Sequence, residues 1–588
     1  MSFPATSLRT IVLPRASALS NAVLIVGGVF FLAALAQIAI PVPGSPVPVT
    51  GQTLGVLLVG TTYGASLGAT TFAIYLLAGI AGAPVFAGQS YGIEKVVGAT
   101  GGYLVGMLVS TFLLGLLAQK RLDQKFVTAL PSMLLGTLTT FTFGLLWLHQ
   151  FTGQSWSWTI KAGLTPFIVG EVLKIAIAGT SLMTSLIPVT TTRLGDHLPL
   201  LDLLPDSAPT AWVRGGEGLV GWGVYATTTV SGPHRFADAR HWWQKQLETF
   251  AVTNTVHGNG TGPVLFSSFS FSPNDVSVLV IPKVIVGKKG DKSWITWVGS
   301  DPQPVLNSTN APLPTTSVTW EVNASSDEAW KSGVKTAVER IHNNGLDKVV
   351  LARDVVGTSQ HAIDARSILK TLAAEYPSTW NFSVAGLVGA TPELLLRLTK
   401  SMVTSRVLAG TISKTGDDER DLALAASLAR SSKDLEEHEY AVRSVADAIE
   451  PFCTSINVPE SPFVLHLANV MHLATDVTGA LAETLAHVDA FTILEQLHPS
   501  AAVCGTPRDK AAALINEIEA ISRGRYAGPV GWIDAAGDGE LGIALRCGQI
   551  KGDSIRIFAG CGIVAGSDPV KELAESEAKF IPMRSALL

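Results

Sequence analysis

The sequence predicts two folds in one chain: an all-α polytopic membrane domain of six helices over residues 1–195, and an α+β domain with large mixed sheets and surrounding helices over 211–588. Three observations carry this. Residues 1–195 hold nine of the 42 Lys/Arg and three of the 47 Asp/Glu, so the net charge of −5 divides into +6 in front and −11 behind. Apolar runs recur through the front part, and about 20 mainly apolar residues suffice for a helix to cross a bilayer. Behind them, β-rich runs alternate with amphipathic helical patterns. The 588-residue averages, 15% charged residues and a mean hydropathy of +0.35, describe neither part and exclude a single soluble domain.

Spans are expected over Ala18–Ile40, Gln52–Gly64, Ala65–Gly82, Val97–Ala118, Phe126–His149 and Thr159–Ile187, the second short enough to be broken or re-entrant. Lys and Arg mark the cytoplasmic side of a membrane protein. Arg9 and Arg15 precede the first span, Lys120, Arg121 and Lys125 lie between the fourth and fifth, and Arg193 follows the sixth. The opposite loops, Pro41–Thr50 and Ala83–Tyr91, carry no Lys or Arg, although Lys95 and Lys161 fall near that outer side. The expectation is a multi-pass protein of the cell membrane with both termini and the acidic domain in the cytoplasm. The N-terminus does not read as a cleavable signal, because the apolar sequence after Arg15 far outruns an h-region.

Glu171 and Lys174 fall mid-span at i,i+3 and share a helix face, either as a structural ion pair or as a polar site for a solute. Gly98, Gly101, Gly102 and the Pro-rich loop Ile40–Thr50 add close backbone packing. That loop, followed in order by Gln52-Thr-Leu-Gly-Val-Leu-Leu, Leu77–Gly88, Gly98-Ala-Thr-Gly-Gly-Tyr-Leu and Gly170-Glu-Val-Leu-Lys-Ile, resembles the BioY family. These are the biotin-binding S-components of energy-coupling-factor transporters, and the likeness covers about residues 15–193. It implies an outward-opening pocket in which Glu171 and Lys174 bind biotin, with Glu standing where Asp is usual. No G-x-x-x-x-G-K-[ST] phosphate loop occurs, so transport would draw on transmembrane and ATPase subunits supplied by other chains.

Residues 196–210 mix Pro, Asp and Ser and read as a linker. All four cysteines follow it without zinc-ligand spacing, as free thiols in a reducing compartment would. The acidic domain lacks basic stripes, which excludes a nucleic-acid partner. Strands are expected over Val276–Ile281, Lys348–Leu351, Ser383–Val388 and Ile555–Ala559. Helices are expected over Asp327–Ile341, Ala362–Glu375, Leu422–Ile449 and Lys510–Ile521.

Lys348 opens an apolar strand, as a snorkelling end residue or as a desolvated general base. Glu393 is equally a surface acid or a catalytic one, and His472, polar within an apolar run, has the setting of a core histidine. Asp434 and Glu437 share one helix face; Glu572 and Glu575 share another, on a helix expected to begin with Asp568 as N-cap and Pro569 at N1. Each pair alone is a common solvated face; together, four carboxylates suit Mg²⁺, which prefers oxygen ligands. Gly560 and Gly562 let backbone N–H groups approach an anion, and Arg546 offers a bidentate fork. The inferred ligand is a small carboxylate bound with Mg²⁺.

The ordered segments Leu346-Asp-Lys-Val-Val-Leu-Ala-Arg, Gly389-Ala-Thr-Pro-Glu, Met471-His-Leu-Ala-Thr, His498-Pro-Ser-Ala-Ala-Val-Cys-Gly, Phe558-Ala-Gly-Cys-Gly-Ile-Val and Lys571-Glu-x-x-Glu resemble the chorismate-utilising enzymes, and isochorismate synthases most closely, from about 211 to the end. The resemblance implies a chorismate-binding fold with Lys348 as the base that activates water and Glu393 as the acid. It makes Glu437 and Glu572 Mg²⁺ ligands beside Asp434 and Glu575, and puts His472, Ala502, Tyr526, Arg546, Gly560, Gly562 and Lys579 at substrate positions. The implied reaction adds water at C2 of chorismate with loss of the C4 hydroxyl. Ala502 stands where ammonia-using or pyruvate-eliminating members often carry Thr. Ser500-Ala501 replace a common Thr-Pro, and Leu435 a more usual Arg. The expectation is a biotin-binding transporter subunit fused to a Mg²⁺-dependent isochorismate synthase of menaquinone or siderophore synthesis. The alternative is a salicylate-forming or other chorismate enzyme on a mere membrane anchor.

Overall fold

The computed structural model describes residues 18–120, 126–183, 186–195, 199–306, 309–312, 317–321, 327–482 and 488–588. Arg9, Arg15, Arg121 and Lys125, which carry part of the orientation argument, lie outside the described residues, as do 196–198 of the expected linker. The chain divides into two compact units, Met1–Leu186 and Ile187–Leu588.

The first unit is helical. Its longer helices are Ala18–Gln37, Gln52–Tyr63, Ala65–Ile80, Gly101–Gln119, Phe126–Thr152 and Ile168–Met183. Among the described residues, Gly101–Gln119, Thr128–Thr152 and Trp156–Gly179 are long and apolar enough to cross a membrane. Asn21–Gln37 and Ala65–Ile80 are apolar but shorter, so three helices rather than six meet the length and composition of a span. The expected sixth span is interrupted by a 3-10 turn, Thr165–Phe167, because Pro166 has no N–H to continue the helix. Close helix contact explains one glycine: a Cβ on Gly102 would lie 2.2 Å from Trp147 Cβ and 2.5 Å from the Phe143 carbonyl.

The second unit is built on antiparallel pairing, with one parallel pair among the described residues, Ile187–Leu194 beside Phe250–Asn254. The strand Ile187–Leu194 therefore lies within the second unit, past the expected end of the sixth span. Its two buried positions are Val189 and Thr191, one apolar and one polar, so the sequence offers no clear apolar alternation. The expected linker is likewise structured beyond its undescribed residues. Leu200, Leu203 and Leu204 are buried in a core with Ile368, Leu369 and Phe580, and Thr210 opens the next strand.

The long strand Lys348–Thr358 pairs along its length with Ser554–Ile563. Ser383–Val388, expected as one strand, is instead a hairpin, Trp380–Val384 and Leu387–Thr391, turning at Ala385 and Gly386 with φ of 49° and 79°. Positive φ at both turn residues is the tight turn whose twist matches paired strands. The expected helix Leu422–Ile449 is two, Asp418–Leu428 and Ser432–Ile449, the second capped where the Ser431 side chain accepts from Asp434 N at 3.3 Å. Asp568 caps Pro569–Ser585 as expected, accepting from Val570 N and Lys571 N at 3.1 and 3.0 Å.

Candidate active site

One pocket of the second unit is lined by Lys348, Glu393, Glu437, His472, Ala502, Tyr526, Arg546, Gly560, Gly562, Glu575 and Lys579. Eleven positions singled out in the sequence thus converge: seven lie on the strands Lys348–Thr358, Val470–Leu481 and Ser554–Ile563 and the helices Ser432–Ile449 and Pro569–Ser585, and Glu393, Ala502, Tyr526 and Arg546 lie on connecting segments. Asp434 and Glu572 are not among the lining residues.

Lys348 is 1% exposed, and its Nζ pairs with Glu437 Oε1 at 3.0 Å. A Cβ on Gly562 would lie 2.2 Å from that carboxylate oxygen, so the glycine makes room for the pair. Glu393 follows the hairpin strand and is buried. Burial pushes its carboxyl up to about 8 against the Leu408 N–H and the charges of Lys348 and Lys579. A carboxyl that holds its proton at neutral pH is a competent general acid.

His472 is kept neutral by burial and by Arg546 and Lys579, its pKa well below the ordinary value. Arg546 can only donate, so His472 Nε2 accepts from its Nη2 at 2.7 Å, leaving the ring hydrogen on Nδ1, 3.2 Å from the Gly410 carbonyl. That carbonyl is turned in by a bulge between Ala409 and Thr411, at which Gly410 takes φ of 70°. Arg546 is buried, which lowers its pKa to about 10, and its Nη1 has no partner among the described residues. A fork with one arm held and one empty fits an incoming carboxylate. Tyr526 is stacked on Phe558, ring centroids 5.0 Å apart, and burial raises its hydroxyl pKa. Lys579 donates to the Gly560 carbonyl at 2.8 Å and pairs with Glu575 at 2.7 Å.

Glu572 is buried, paired with Lys433 at 3.2 Å, and its oxygen, Glu575's and Cys561 Sγ lie within 4.8 Å of one another. Burial and the charge of Glu575 raise the Glu572 pKa; burial and Glu437 raise that of Asp434. Carboxylates strained by one another are the donor set a hard cation relieves. Cys561 stands apart: burial raises its thiol, which donates to the Glu572 carbonyl at 3.3 Å. The oxygen donors fit Mg²⁺; the thiol does not.

Sequence reasoning missed Arg523, which lines the pocket wholly buried. It donates to the carbonyls of Val503 and Val350 at 2.8 and 2.7 Å and pairs with Glu519, whose Oε1 accepts from Ala352 N at 2.7 Å. This ties the Ala502 turn to the Lys348 strand. Glu519 and Arg523 lie past the end of the helix Arg508–Ile518, so their pairing is a tertiary arrangement that helical spacing does not signal.

In the first unit a separate cavity of about 310 Å³ is lined by Glu171 and Lys174 with Thr53, Tyr103, Phe141 and Phe167. Lys174 Nζ donates to Glu171 Oε1 at 2.7 Å, Thr53 Oγ1 at 2.8 Å and the Thr50 carbonyl at 2.6 Å. Thr53 in turn donates to Glu171 Oε1 at 2.7 Å, and the buried Glu171 Oε2 has no partner among the described residues. Thr53 escaped notice because it sits at the start of an apolar run.

Residues 212–588 match the sequence model of the chorismate binding enzyme family. The chain belongs to the chorismate-binding enzymes. Among curated relatives, isochorismate synthase MenF of Bacillus subtilis (strain 168) is 32% identical over 403 residues, covering 63% of this chain and 85% of the relative. The vibriobactin-specific isochorismate synthase of Vibrio cholerae is 30% identical over 395 residues, covering 66% and 93%. The solved structure of MenF, the menaquinone-specific isochorismate synthase of Escherichia coli, shares the chorismate-binding fold with a TM-score of 0.56 at 24% identity, over 68% of this chain and 95% of that one. Residues 9–188 match the BioY family, so a BioY-like segment precedes the chorismate-binding unit in the same chain.

Proposed function

We propose that the second unit is a Mg²⁺-dependent isochorismate synthase and that the first binds biotin as the S-component of an energy-coupling-factor transporter. The observation that carries the enzyme assignment is one pocket holding a buried lysine, a carboxyl protonated to about pH 8 and a half-engaged arginine fork. Arg546, fixed by His472, binds a chorismate carboxylate, and Tyr526 and Lys579 bound the pocket around the ring. In the reacting state deprotonated Lys348 takes a proton from water as the oxygen bonds to C2. The ring double bonds shift, and Glu393 gives its proton to the C4 hydroxyl, which departs as water. One water enters and one leaves, so the reaction is an isomerisation. Glu437 and Glu572, with Asp434 and Glu575 beside them, would hold Mg²⁺, which when bound neutralises a substrate carboxylate.

The polar triad Thr53–Glu171–Lys174 at one end of an aromatic-walled cavity supports biotin binding, a ring system with polar groups on an apolar chain. The apolar helices and the Lys/Arg distribution of the loops support a membrane position with the enzyme in the cytoplasm. The test is chromatography of products formed from chorismate by the purified full chain. Isochorismate alone is expected; salicylate, or released pyruvate, contradicts the assignment.

A further inference from the structure

The strand Lys348–Thr358 turns every other residue toward the reaction pocket, where Lys348, Val350 and Ala352 all line the wall. One edge of the strand is paired with Ser554–Ile563 from Val349 onward. On the other edge the short strand Gly505–Thr506 reaches only Lys348 and Val349, and the Cys504 carbonyl accepts one more bond from Val350 N at 2.8 Å. Past that point the Val350 carbonyl and the Ala352 N–H have no strand beside them among the described residues. Buried backbone groups of this kind need partners.

Two side chains supply them. Arg523 Nη2 donates to the Val350 carbonyl at 2.7 Å, and Glu519 Oε1 accepts from Ala352 N at 2.7 Å. The pair continues the ladder where the backbone of Gly505–Thr506 ends. Arg523 Nε also donates to Glu519 Oε2 at 2.9 Å, and Nη2 makes a second contact with Oε1. Arg523 Nη1 donates to the Val503 carbonyl at 2.8 Å, one residue past Ala502, and the guanidinium lies over the Phe271 ring, 4.2 Å from its centroid. Both charged side chains are less than a twentieth exposed. A planar fork can hold two carbonyls and a carboxylate at once; a lysine ammonium on a flexible stem cannot.

We propose that Arg523, held by Glu519, is a positioning residue for the reaction. It fixes the separation between the strand bearing Lys348 and the turn bearing Ala502, two walls of one pocket, and with it the place of the water that Lys348 deprotonates. It acts through the backbone of Val350 and Val503 rather than on the reacting atoms. The inference rests on the reading of Lys348 as the base of an isochorismate synthase.

The test compares the purified full chain with Arg523→Lys and Glu519→Gln at equal folded concentration, with folding followed by thermal unfolding. Arg523→Lys keeps a cation beside Glu519 but loses the bridge between the carbonyls. Glu519→Gln keeps an acceptor for Ala352 N and turns its other oxygen into a donor facing Arg523 Nε. Chorismate consumption gives kcat, KM and the solvent deuterium isotope effect on kcat. A displacement of about 1 Å can cost about 100-fold in rate, so kcat is expected to fall at least about tenfold in Arg523→Lys and at least about threefold in Glu519→Gln. KM is expected to stay within about twofold, because the Arg546 fork is unaltered. The isotope effect is expected to rise in both variants, as proton transfer from a displaced water becomes the slower step. A role confined to stability would leave kcat per folded molecule and its isotope effect unchanged. Unchanged kcat in both variants, a lower kcat with an unchanged isotope effect, or chains that fold with neither change would overturn the proposal. No chorismate consumption by the folded wild type would overturn the isochorismate synthase reading itself, a failure distinct from the others because it precedes any substitution.

Discussion

Gly562→Ala probes the reaction centre with a single methyl group. Its Cβ would stand 2.2 Å from Glu437 Oε1 and 3.0 Å from Lys348 Cε. Comfortable non-bonded contact begins near about 3.5 Å, so the carboxylate must retreat by roughly 1.3 Å, and the 3.0 Å pair with Lys348 Nζ must be rebuilt or lost. Gly562 is paired with Val350 in an extended strand, and the atom that yields first is the end of a side chain, so the fold is expected to lose only about 1 kcal/mol. Chemistry is less forgiving: a misplacement of about 1 Å can cost about 100-fold in rate, or about 2.7 kcal/mol of barrier. The assay pairs thermal unfolding with kcat/KM for chorismate. A folded variant with unchanged kcat/KM would refute the use of the Lys348–Glu437 arrangement in turnover.

The Glu393 carboxyl, raised from 4.5 to about 8, holds its proton between those values only in the folded chain. Stability is therefore expected to fall as pH rises across that window and to level off above it, while kcat declines as pH passes about 8. Glu393→Gln should flatten the stability profile in chemical denaturation and lower kcat by about 10²- to 10⁴-fold in initial-rate assays. EDTA should abolish turnover and Mg²⁺ restore it. Glu572→Gln should raise the Mg²⁺ concentration needed, and the wild-type requirement should rise as pH falls, since the raised Glu572 and Asp434 carboxyls must lose protons to bind a cation. Lys174→Ala breaks three hydrogen bonds at the end of the first unit's cavity and should weaken radiolabelled biotin binding by the full chain at least about tenfold, at about 1.4 kcal/mol per tenfold.

Much of the reaction pocket was legible because its chemistry sits on locally regular elements. Lys348 opens an apolar strand, and the Asp568–Pro569 start of the last helix is readable from capping rules alone. What escaped depended on tertiary pairing. Ser383–Val388 lies in a hairpin buried on both faces, so its two strands read as one apolar run, and only the φ values of Ala385 and Gly386 divide them. The strand Ile187–Leu194 gains its meaning from partners more than 50 residues away, Phe250–Asn254 and Lys292–Val298. Arg523 looks like a surface cation until Val350 and Val503 present their carbonyls to it. In the first unit, Glu171 and Lys174 stand out as charges in an apolar helix, whereas Thr53 joins them from a different helix, which no local pattern reveals.

The most direct measurement is the rate of isochorismate formation from chorismate and Mg²⁺ by the purified full chain, set beside Lys348→Ala at equal folded concentration. Conversion by the wild type, with turnover lost on removing the buried base, is the predicted result. Full turnover in Lys348→Ala, or no isochorismate from the folded wild type, would contradict the assignment of Lys348 and of the pocket around it.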